Sequence, residues 1–218
     1  MTQYHKIQTV FKRDPATKHK TLLEGEYSLP EFEYLASNVW EFTEKVDGTN
    51  VRVMWDGSDV KFGGKTDNAQ MPMPLMEALG SLFSGKVELF HEMFCGSDTE
   101  PCGEIVDVCL YGEGYGGKIQ KGSKYSPTQM FVLFDVLIGG LWLRRTDVND
   151  IADKLGCETV PNIGFGDLAD MVGSCKRGFE SQWGDFEAEG IVARPVVEMR
   201  TRRGDRMITK LKCKDFKE

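Results

Sequence analysis

Hydrophobic and polar residues alternate with a period of two along several stretches of the chain, which is typical of β-strands. The chain begins with a polar segment that extends to about residue 29. Beyond it, the pattern predicts strands at residues 39–45, 50–55, 60–62, 105–111, 130–138, 191–197 and 207–212. Asp56 and Gly57 predict the turn between the second and third of these strands.

Helical spacing of apolar residues is clearest in residues 75–94. A short helix is predicted at residues 30–36, and Thr146 is the expected N-cap of a helix that ends near Gly156. Residues 167–179 predict another helix. Long strands with interspersed helices and no regular βαβ alternation indicate an α+β fold of largely antiparallel sheets with flanking helices.

The length of 218 residues suits one large domain or two small ones. Hydrophobic residues make up 40% and charged residues 28%, as in ordinary globular proteins. The longest apolar run, residues 136–143, falls short of the roughly 18 residues of a membrane helix, and no signal peptide precedes it. We therefore expect a cytoplasmic protein. The last predicted strand ends six residues before the chain does, so we expect one domain, residues 1–218, without a C-terminal OB-fold or helical domain.

The net charge of −7 argues against a protein that coats nucleic acid indiscriminately. Residues 194–214, however, are rich in arginine and lysine. This segment predicts either a localised phosphate-contacting face or a solvated hairpin.

Six cysteines are present without a Cys-x-x-Cys pair. Cys95, Cys102 and Cys109 are evenly spaced, but zinc sites favour tighter spacing, and His91 is the only histidine nearby. Reduced and mostly buried thiols are the better interpretation.

Lys45 stands where a predicted strand meets a tight turn, in the segment Lys45-Val46-Asp47-Gly48. A lysine amine attacks phosphorus only when it is unprotonated, so a catalytic lysine needs burial or neighbouring cations. Lys210 and Lys212 occupy alternate positions of the last strand, share one face of it and can supply those cations. Without further evidence Lys45 would be an ordinary surface lysine.

This segment resembles the Lys-x-Asp-Gly motif of covalent nucleotidyltransferases, which include DNA ligases, RNA ligases and capping enzymes. Four more segments resemble the other motifs of that superfamily, in the expected order. They are residues 110–114 (LYGEG), 131–135 (FVLFD), 189–194 (EGIVAR) and 210–212 (KLK). The resemblance implies an adenylation domain with a nucleotide cleft between its sheets.

Two segments resemble the RNA-ligase branch in particular. Thr49 and Asn50 follow the glycine of the first motif, where DNA ligases usually have an arginine soon after it. Residues 62–70 (FGGKTDNAQ) resemble an RNA-ligase segment in which Lys65 replaces the usual arginine. Because lysine lacks the bidentate grip of a guanidinium on phosphate, this departure leaves the role of Lys65 open.

The resemblance implies a role for each matching residue. Lys45 would become AMP-lysine, Glu113 would hold the ribose hydroxyls, and Glu189 would bind Mg²⁺ or Mn²⁺. Asp47 would orient Lys45 or a metal-bound water, and Asn50 would position the 3′-hydroxyl end. An aromatic ring, Phe134 or alternatively Phe131, would stack on adenine. The remaining implied nucleotide ligands are Glu44, Arg52, Lys65, Lys210 and Lys212.

The implied function is that of an ATP-dependent RNA ligase that seals 5′-phosphate to 3′-hydroxyl ends. A DNA ligase or a capping guanylyltransferase is the alternative within the enzymes, and a non-catalytic module that binds RNA ends is the alternative outside them. We expect a monomer that binds ATP and RNA but no membrane, and a partner protein can supply further RNA binding.

The glycine-rich segment 112–118 matches two unrelated nucleotide-binding patterns, Gly-x-Gly-x-x-Gly and Gly-x(4)-Gly-Lys. Ile119 stands where a Walker A loop needs Ser or Thr, and the polar residues that follow do not predict a Rossmann helix. With Lys118, Lys121 and Lys124, this loop can instead contact a nucleic-acid backbone.

Overall fold

The computed structural model describes residues 3–95 and 107–217. Strands and helices alternate irregularly along these residues. The strands are β1 (Gln8–Thr9), β2 (Phe11–Arg13), β3 (Leu22–Tyr27), β4 (Trp40–Glu44), β5 (Thr49–Trp55), β6 (Val60–Gly63), β7 (Val108–Tyr115), β8 (Met130–Ile138), β9 (Leu141–Trp142), β10 (Glu158–Thr159), β11 (Asn162–Gly166), β12 (Glu180–Ser181), β13 (Gly184–Glu187), β14 (Gly190–Pro195) and β15 (Thr209–Lys212). The α-helices are α1 (Pro30–Tyr34), α2 (Met73–Leu79), α3 (Val87–Cys95), α4 (Arg145–Leu155) and α5 (Leu168–Arg177).

The chain divides into two compact units. The first runs from Asp47 to Thr159 and includes Tyr4. Its sheet has the order β10-β8-β7-β5-β6, with β9 added to β8. All of its strand pairs are antiparallel except β10 with β8. One face of this sheet carries an apolar core that includes Val51, Leu110 and Leu133, and helices α2, α3 and α4 contribute side chains to it.

The second unit combines His5–Val46 with the chain from Val160 onward. Its five-stranded sheet has the order β1-β15-β14-β4-β11, and two short hairpins, β2–β3 and β12–β13, lie outside it. Only the pair β1–β15 is parallel in the sheet. Trp40, Ile191 and Leu211 pack with residues of α1 and α5 in a separate core. The predicted α+β fold of largely antiparallel sheets is therefore confirmed.

The prediction of a single helix over residues 75–94 is wrong. Helix α2 continues into a π-helical turn, Gly80–Ser84, and α3 begins only at Val87. Gly85 and Lys86 interrupt the helix, since glycine weakens helix interiors. The capping prediction for Thr146 is also wrong, because Arg144 is the N-cap of α4. Gly156 ends this helix in the left-handed conformation, as predicted.

Residues 105–106 of the predicted strand 105–111 lie outside the described residues, and β7 continues to Tyr115. Cys109, Cys175 and Cys213 are buried free thiols, and Cys157 is a half-buried one. Cys95 is disulfide-bonded, which corrects the expectation of a reduced thiol at that position. No helix among residues 3–95 and 107–217 is long and apolar enough to cross a membrane.

Candidate active site

Lys45 directly follows β4 in the second unit, and its backbone N–H donates to the carbonyl of Gly190 on β14 (2.9 Å). Trp40 and Phe42 of β4 face the apolar core. Because side chains alternate along a strand, Thr43 and Lys45 face the opposite side of the sheet. Leu211 of β15 also faces the core. Lys210 and Lys212, on either side of it, therefore share the face of the sheet on which Lys45 lies.

Glu189 joins two of these lysines. Its Oε2 binds the Lys45 ammonium, and its Oε1 lies 2.5 Å from Lys212 Nζ. The side chains are 20%, 10% and 26% exposed for Lys45, Glu189 and Lys212, so the cluster is partly shielded from water. One carboxylate thus holds two ammonium groups at the surface of the sheet. Lys210 lies two residues before Lys212 on β15 and pairs with Val192 of β14.

Gly190 makes the close approach of β14 and β15 possible. It pairs with Lys212 in the register of β14 and β15. A Cβ atom at this position would lie 2.0 Å from the carbonyl oxygen of Leu211 and 2.7 Å from the Cα of Lys212. Since both are backbone atoms, they cannot turn aside as a flexible side chain would.

Glu44, the residue before Lys45, is almost fully buried. Its Oε1 accepts a hydrogen bond from the Ser181 hydroxyl (2.6 Å), and its Oε2 accepts one from the backbone N–H of Gln182 (2.8 Å). Both carboxylate oxygens therefore anchor the turn that joins β12 to β13. The sequence gives no local signal for this contact, which joins residues 137 positions apart.

The first unit holds the other part of the Lys-x-Asp-Gly segment. The N–H of Asp47 donates to the Tyr125 hydroxyl oxygen (3.3 Å). Gly48 lies against β7, where an added Cβ would come within 2.3 Å of the Gly114 carbonyl oxygen. On the next strands, Asn50 pairs directly with Glu113. The sequence gives no signal for this role of Tyr125, which directly follows Lys124.

Asn50 and Glu113 are both half-buried. The Oδ1 atom of Asn50 is buried and accepts no hydrogen bond from the described residues. A buried acceptor of this kind is costly unless a ligand or water satisfies it. The geometry therefore leaves an acceptor at this position for an incoming hydroxyl or amine.

Arg52 is fully buried. Its Nε donates to the Gly64 carbonyl (2.8 Å), and its Nη2 lies 2.7 Å from Asp67 Oδ1. These bonds hold the segment after β6, which carries the exposed Lys65. The structure thus directs at least two donors of Arg52 to the protein itself, and a nucleotide contact of Arg52 stays a prediction.

The two candidate aromatic rings differ in their surroundings. Phe131 is 5% exposed, belongs to the apolar core and packs edge-on against Phe83, with ring centroids 5.4 Å apart. Phe134 is half-buried and contacts the ring of Tyr4, whose hydroxyl donates to Asp135 (2.6 Å). Phe131 thus has the structural role of a core residue, which leaves Phe134 as the candidate for stacking.

The basic segment 194–214 does not form one cationic face. Arg194 is buried against Glu41 (3.0 Å), Arg206 pairs with Glu198 (2.7 Å), and Lys212 binds Glu189. Its exposed cations are Arg200, Arg202, Arg203 and Lys214. Internal carboxylates therefore neutralise several charges of this segment, and phosphate contact through its exposed cations stays a prediction.

Comparisons with known proteins agree with the observed fold and indicate a family for the chain. The family model described as RNA ligase matches residues 38–212. A variant of the Naegleria gruberi RNA ligase with ATP and Mn has a TM-score of 0.67 at 13% identity, with 97% of this chain and 56% of that chain covered. The same ligase with PPi gives a TM-score of 0.64 at 15% identity, with 97% and 58% covered.

A second variant with ATP and Mn gives a TM-score of 0.68 at 14% identity, with 97% and 56% covered. This chain thus spans a little more than half the length of these Naegleria proteins. No curated protein matches the sequence closely enough to count as a relative. The match of the family model over more than half of the sequence shows that the chain belongs to the RNA ligase family.

Proposed function

We propose that this chain is an ATP-dependent RNA ligase that carries AMP on Lys45 and seals 5′-phosphate to 3′-hydroxyl RNA ends. The observation that carries the proposal is the cluster in which Glu189 binds Lys45 and Lys212. Membership of the RNA ligase family supports it. The Naegleria ligase structures with ATP, with AMP or with PPi suggest the same nucleotide chemistry for this chain.

In the proposed first step, the Lys45 amine attacks the α-phosphorus of ATP. The N–P bond forms, the bond to the pyrophosphate oxygen breaks, and the Lys45 proton leaves to solvent. An ammonium has no lone pair, so Lys45 must first release one proton to solvent and leave its ion pair with Glu189, and it loses the second proton as the N–P bond forms. Lys212 and Lys210 would then stabilise the charge that develops on the α-phosphate.

Two further transfers complete the reaction. An oxygen of the RNA 5′-phosphate attacks the AMP phosphorus, and the N–P bond to Lys45 breaks. The 3′-hydroxyl then attacks the 5′-phosphorus, loses its proton to solvent and expels AMP. Positioning and cationic stabilisation dominate such transfers. We assign the ribose hydroxyls to Glu113, adenine stacking to Phe134 and the 3′-hydroxyl end to Asn50, whose buried Oδ1 has an open acceptor position.

The residues also suit a divalent metal. Mg²⁺ typically uses one or two carboxylates together with substrate phosphates. Glu189 offers such a carboxylate, and we assign Asp47 as a second candidate. Within the described ranges, no group of three His, Cys, Asp or Glu side chains forms a dedicated metal cage. One or two carboxylates suit Mg²⁺ or Mn²⁺ that enters with ATP, where the metal would neutralise charge on the phosphates.

The proposal also covers the domain organisation, the oligomeric state, the location and the partners of the chain. We propose that the two units together make one adenylation domain, which acts as a monomer in the cytoplasm. A partner protein would add RNA binding to that of the chain itself. Glu44, Arg52 and Lys65 remain proposed nucleotide ligands, although Glu44 and Arg52 bind other parts of the protein through the groups described above.

Incubation with α-labelled ATP and magnesium tests the proposal. We expect an acid-labile label on the protein, which Lys45→Ala abolishes. Lys12→Ala is the control, because Lys12 is an exposed lysine of the same unit that pairs with Glu26. Undiminished labelling of Lys45→Ala would overturn the proposal.

Substrate assays separate the alternatives. Labelling by GTP in place of ATP would indicate a capping enzyme, and sealing of DNA nicks in preference to RNA nicks would indicate a DNA ligase. Absence of any lysyl-AMP in the intact mass of the wild-type protein would indicate a non-catalytic module. An RNA ligase should lose rate when the terminal 2′-hydroxyl is removed.

A further inference from the structure

The segment between β7 and β8, in the first unit, folds back on itself as a series of tight turns. Gly117 N–H donates to the Ser126 carbonyl (2.9 Å), Gly122 N–H to Ile119 (2.7 Å) and Tyr125 N–H to Gly122 (2.9 Å). A Cβ on Gly122 would lie 2.7 Å from the Gly116 nitrogen, so the backbone crosses itself closely. The loop is thus a built structure with a defined surface.

Burial in this loop repeats every three residues. Ile119, Gly122 and Tyr125 are buried, whereas the residue immediately before each of them is an exposed lysine. Those lysines are Lys118, Lys121 and Lys124. The turns therefore present three lysine side chains to solvent, while the buried residues between them fix the loop to the rest of the unit.

The loop contains no acidic residue of its own. Residues 114–134 contain no aspartate or glutamate, although the whole chain has a net charge of −7. Lys118 and Lys121 form no ion pair with the described residues, and Lys124 lies over the Tyr125 ring, 5.1 Å from its centroid. Five exposed lysines elsewhere, in contrast, have carboxylate partners. These are Lys12, Lys61, Lys154, Lys176 and Lys217.

The loop is attached to the Lys-x-Asp-Gly segment. Tyr125 accepts the hydrogen bond from Asp47 N–H (3.3 Å), and Asp47 lies two residues after Lys45 in the chain. The loop also directly continues β7, which carries Glu113. A polyanion bound along the lysines would therefore lie near Asp47 and near the strand that carries Glu113, both in the first unit.

We propose that Lys118, Lys121 and Lys124 bind the phosphate backbone of the polynucleotide substrate. This inference rests on the proposed function for the identity of the polymer. Three flexible ammonium groups on a surface loop suit successive phosphates, which they contact as point charges without reading the bases. RNA and DNA share this backbone chemistry, so the loop should contribute to binding of either.

The test measures binding to a labelled nicked RNA duplex and to a DNA duplex of the same sequence, both without ATP. The variant replaces Lys118, Lys121 and Lys124 with glutamine. We expect about 10- to 100-fold weaker binding near 50 mM salt and a shallower dependence of log K on log salt. The slope should change by about 2.7, since the variant loses three phosphate contacts and each removes roughly 0.9 on a duplex.

Two controls make the result specific. Arginine at the same three positions keeps the charges and should restore both affinity and slope. Arg202→Gln with Arg203→Gln removes two exposed cations of the second unit that form no ion pair with the described residues, and it should change binding less. Thermal melting verifies that each variant is folded.

The outcomes separate this inference from the proposed function. Unchanged affinity and slope in the variant with three glutamines would overturn the role of the loop. A larger loss of affinity in the variant with Arg202→Gln and Arg203→Gln would assign that role to Arg202 and Arg203 instead. Failure of the wild type to form lysyl-AMP would overturn the proposed function but not the binding result, which requires no ATP.

Discussion

Lys45 and Lys212 contact the same carboxylate from two strands that are not neighbours. Lys212 Nζ lies 2.5 Å from Glu189 Oε1, and Lys45 binds the other oxygen. Strand β14 separates β4 from β15 in the sheet, and Gly190 is the residue of β14 that lies between the two lysines. Because glycine has no side chain, the long lysine side chains can meet above it at Glu189.

We predict that Glu189→Gln lowers the rate of lysyl-AMP formation by about 100-fold or more, the usual order for loss of an electrostatic stabiliser in an active site. The substitution keeps the shape of the side chain but removes the charge that holds two ammonium groups and would face a metal. Single-turnover labelling with α-labelled ATP measures the effect.

Glu187→Gln is the matched control. Glu187 lies two residues earlier in the chain and binds the exposed Lys217 at the surface. Such surface pairs contribute little, so labelling by this variant should stay close to that of the wild type. Equal rates for Glu189→Gln and Glu187→Gln would show that the central carboxylate has no part in the chemistry.

Gly190→Ala should destabilise the second unit by about 3 kcal/mol or more, because overpacking against rigid neighbours typically costs 1–3 kcal/mol and here the neighbours are backbone. The added methyl group would meet the carbonyl oxygen of Leu211 at 2.0 Å. Urea unfolding measures the difference. Gly85→Ala is the control, since no atom lies within 4 Å of its added Cβ, and it should change stability by about 1 kcal/mol at most.

The strands that carry the proposed chemistry were predictable from sequence because their side chains alternate strictly between a core and a polar face. Trp40 and Phe42 of β4 enter the core, while Thr43 of β4 and Lys45 just after it do not, and this local pattern needs no tertiary information. The shared face of Lys210 and Lys212 followed from the same rule. Strand β1 was not predictable, because it is a two-residue strand held by pairing with β15, about 200 residues later.

The partners of the charged residues were much less predictable than the strands. Residues 194–214 are rich in arginine and lysine in the sequence, but Glu41 and Glu198 lie against Arg194 and Arg206 only in the folded chain. In the same way, nothing near Glu44 in sequence indicates Ser181. Contacts between distant residues depend on the packed sheet, so a local pattern cannot reveal them.

The buried thiol of Cys109 predicts a loss of stability at alkaline pH. Burial raises the pKa of Cys109 from 9.0 to about 11. Between these values the unfolded chain releases the proton while the folded chain keeps it, so the free energy of unfolding falls as pH rises from 9 to about 11. The loss from this group would reach about 2–3 kcal/mol, at 1.36 kcal/mol for each pKa unit.

Urea unfolding at pH 8, 9 and 10 measures this dependence, and Cys109→Ala separates the thiol from other groups that titrate in the range. The variant should be less stable at pH 8, because a buried side chain is truncated, but its stability should fall less steeply with pH. If wild type and variant lose stability in parallel between pH 8 and 10, ionisation of Cys109 does not cause the loss.

The bond between Glu44 and Ser181 predicts strong coupling of the two side chains. Glu44→Ala would leave the buried Ser181 hydroxyl and the partly buried Gln182 N–H without their acceptor, which costs about 1–3 kcal/mol of unfolding free energy. Ser181→Ala removes one of these donors, so the double variant should lose about 1 kcal/mol less than the sum of the single losses.

Asp185→Ala is the control. Asp185 is an exposed residue on the same hairpin, so the unfolding free energy of this variant should stay within about 0.5 kcal/mol of the wild type. Additive losses in urea unfolding would mean that Glu44 does not hold the β12–β13 turn through Ser181. With coupling observed, slower lysyl-AMP formation by the folded Glu44→Ala protein would further show that this anchoring positions Lys45, the next residue in the chain.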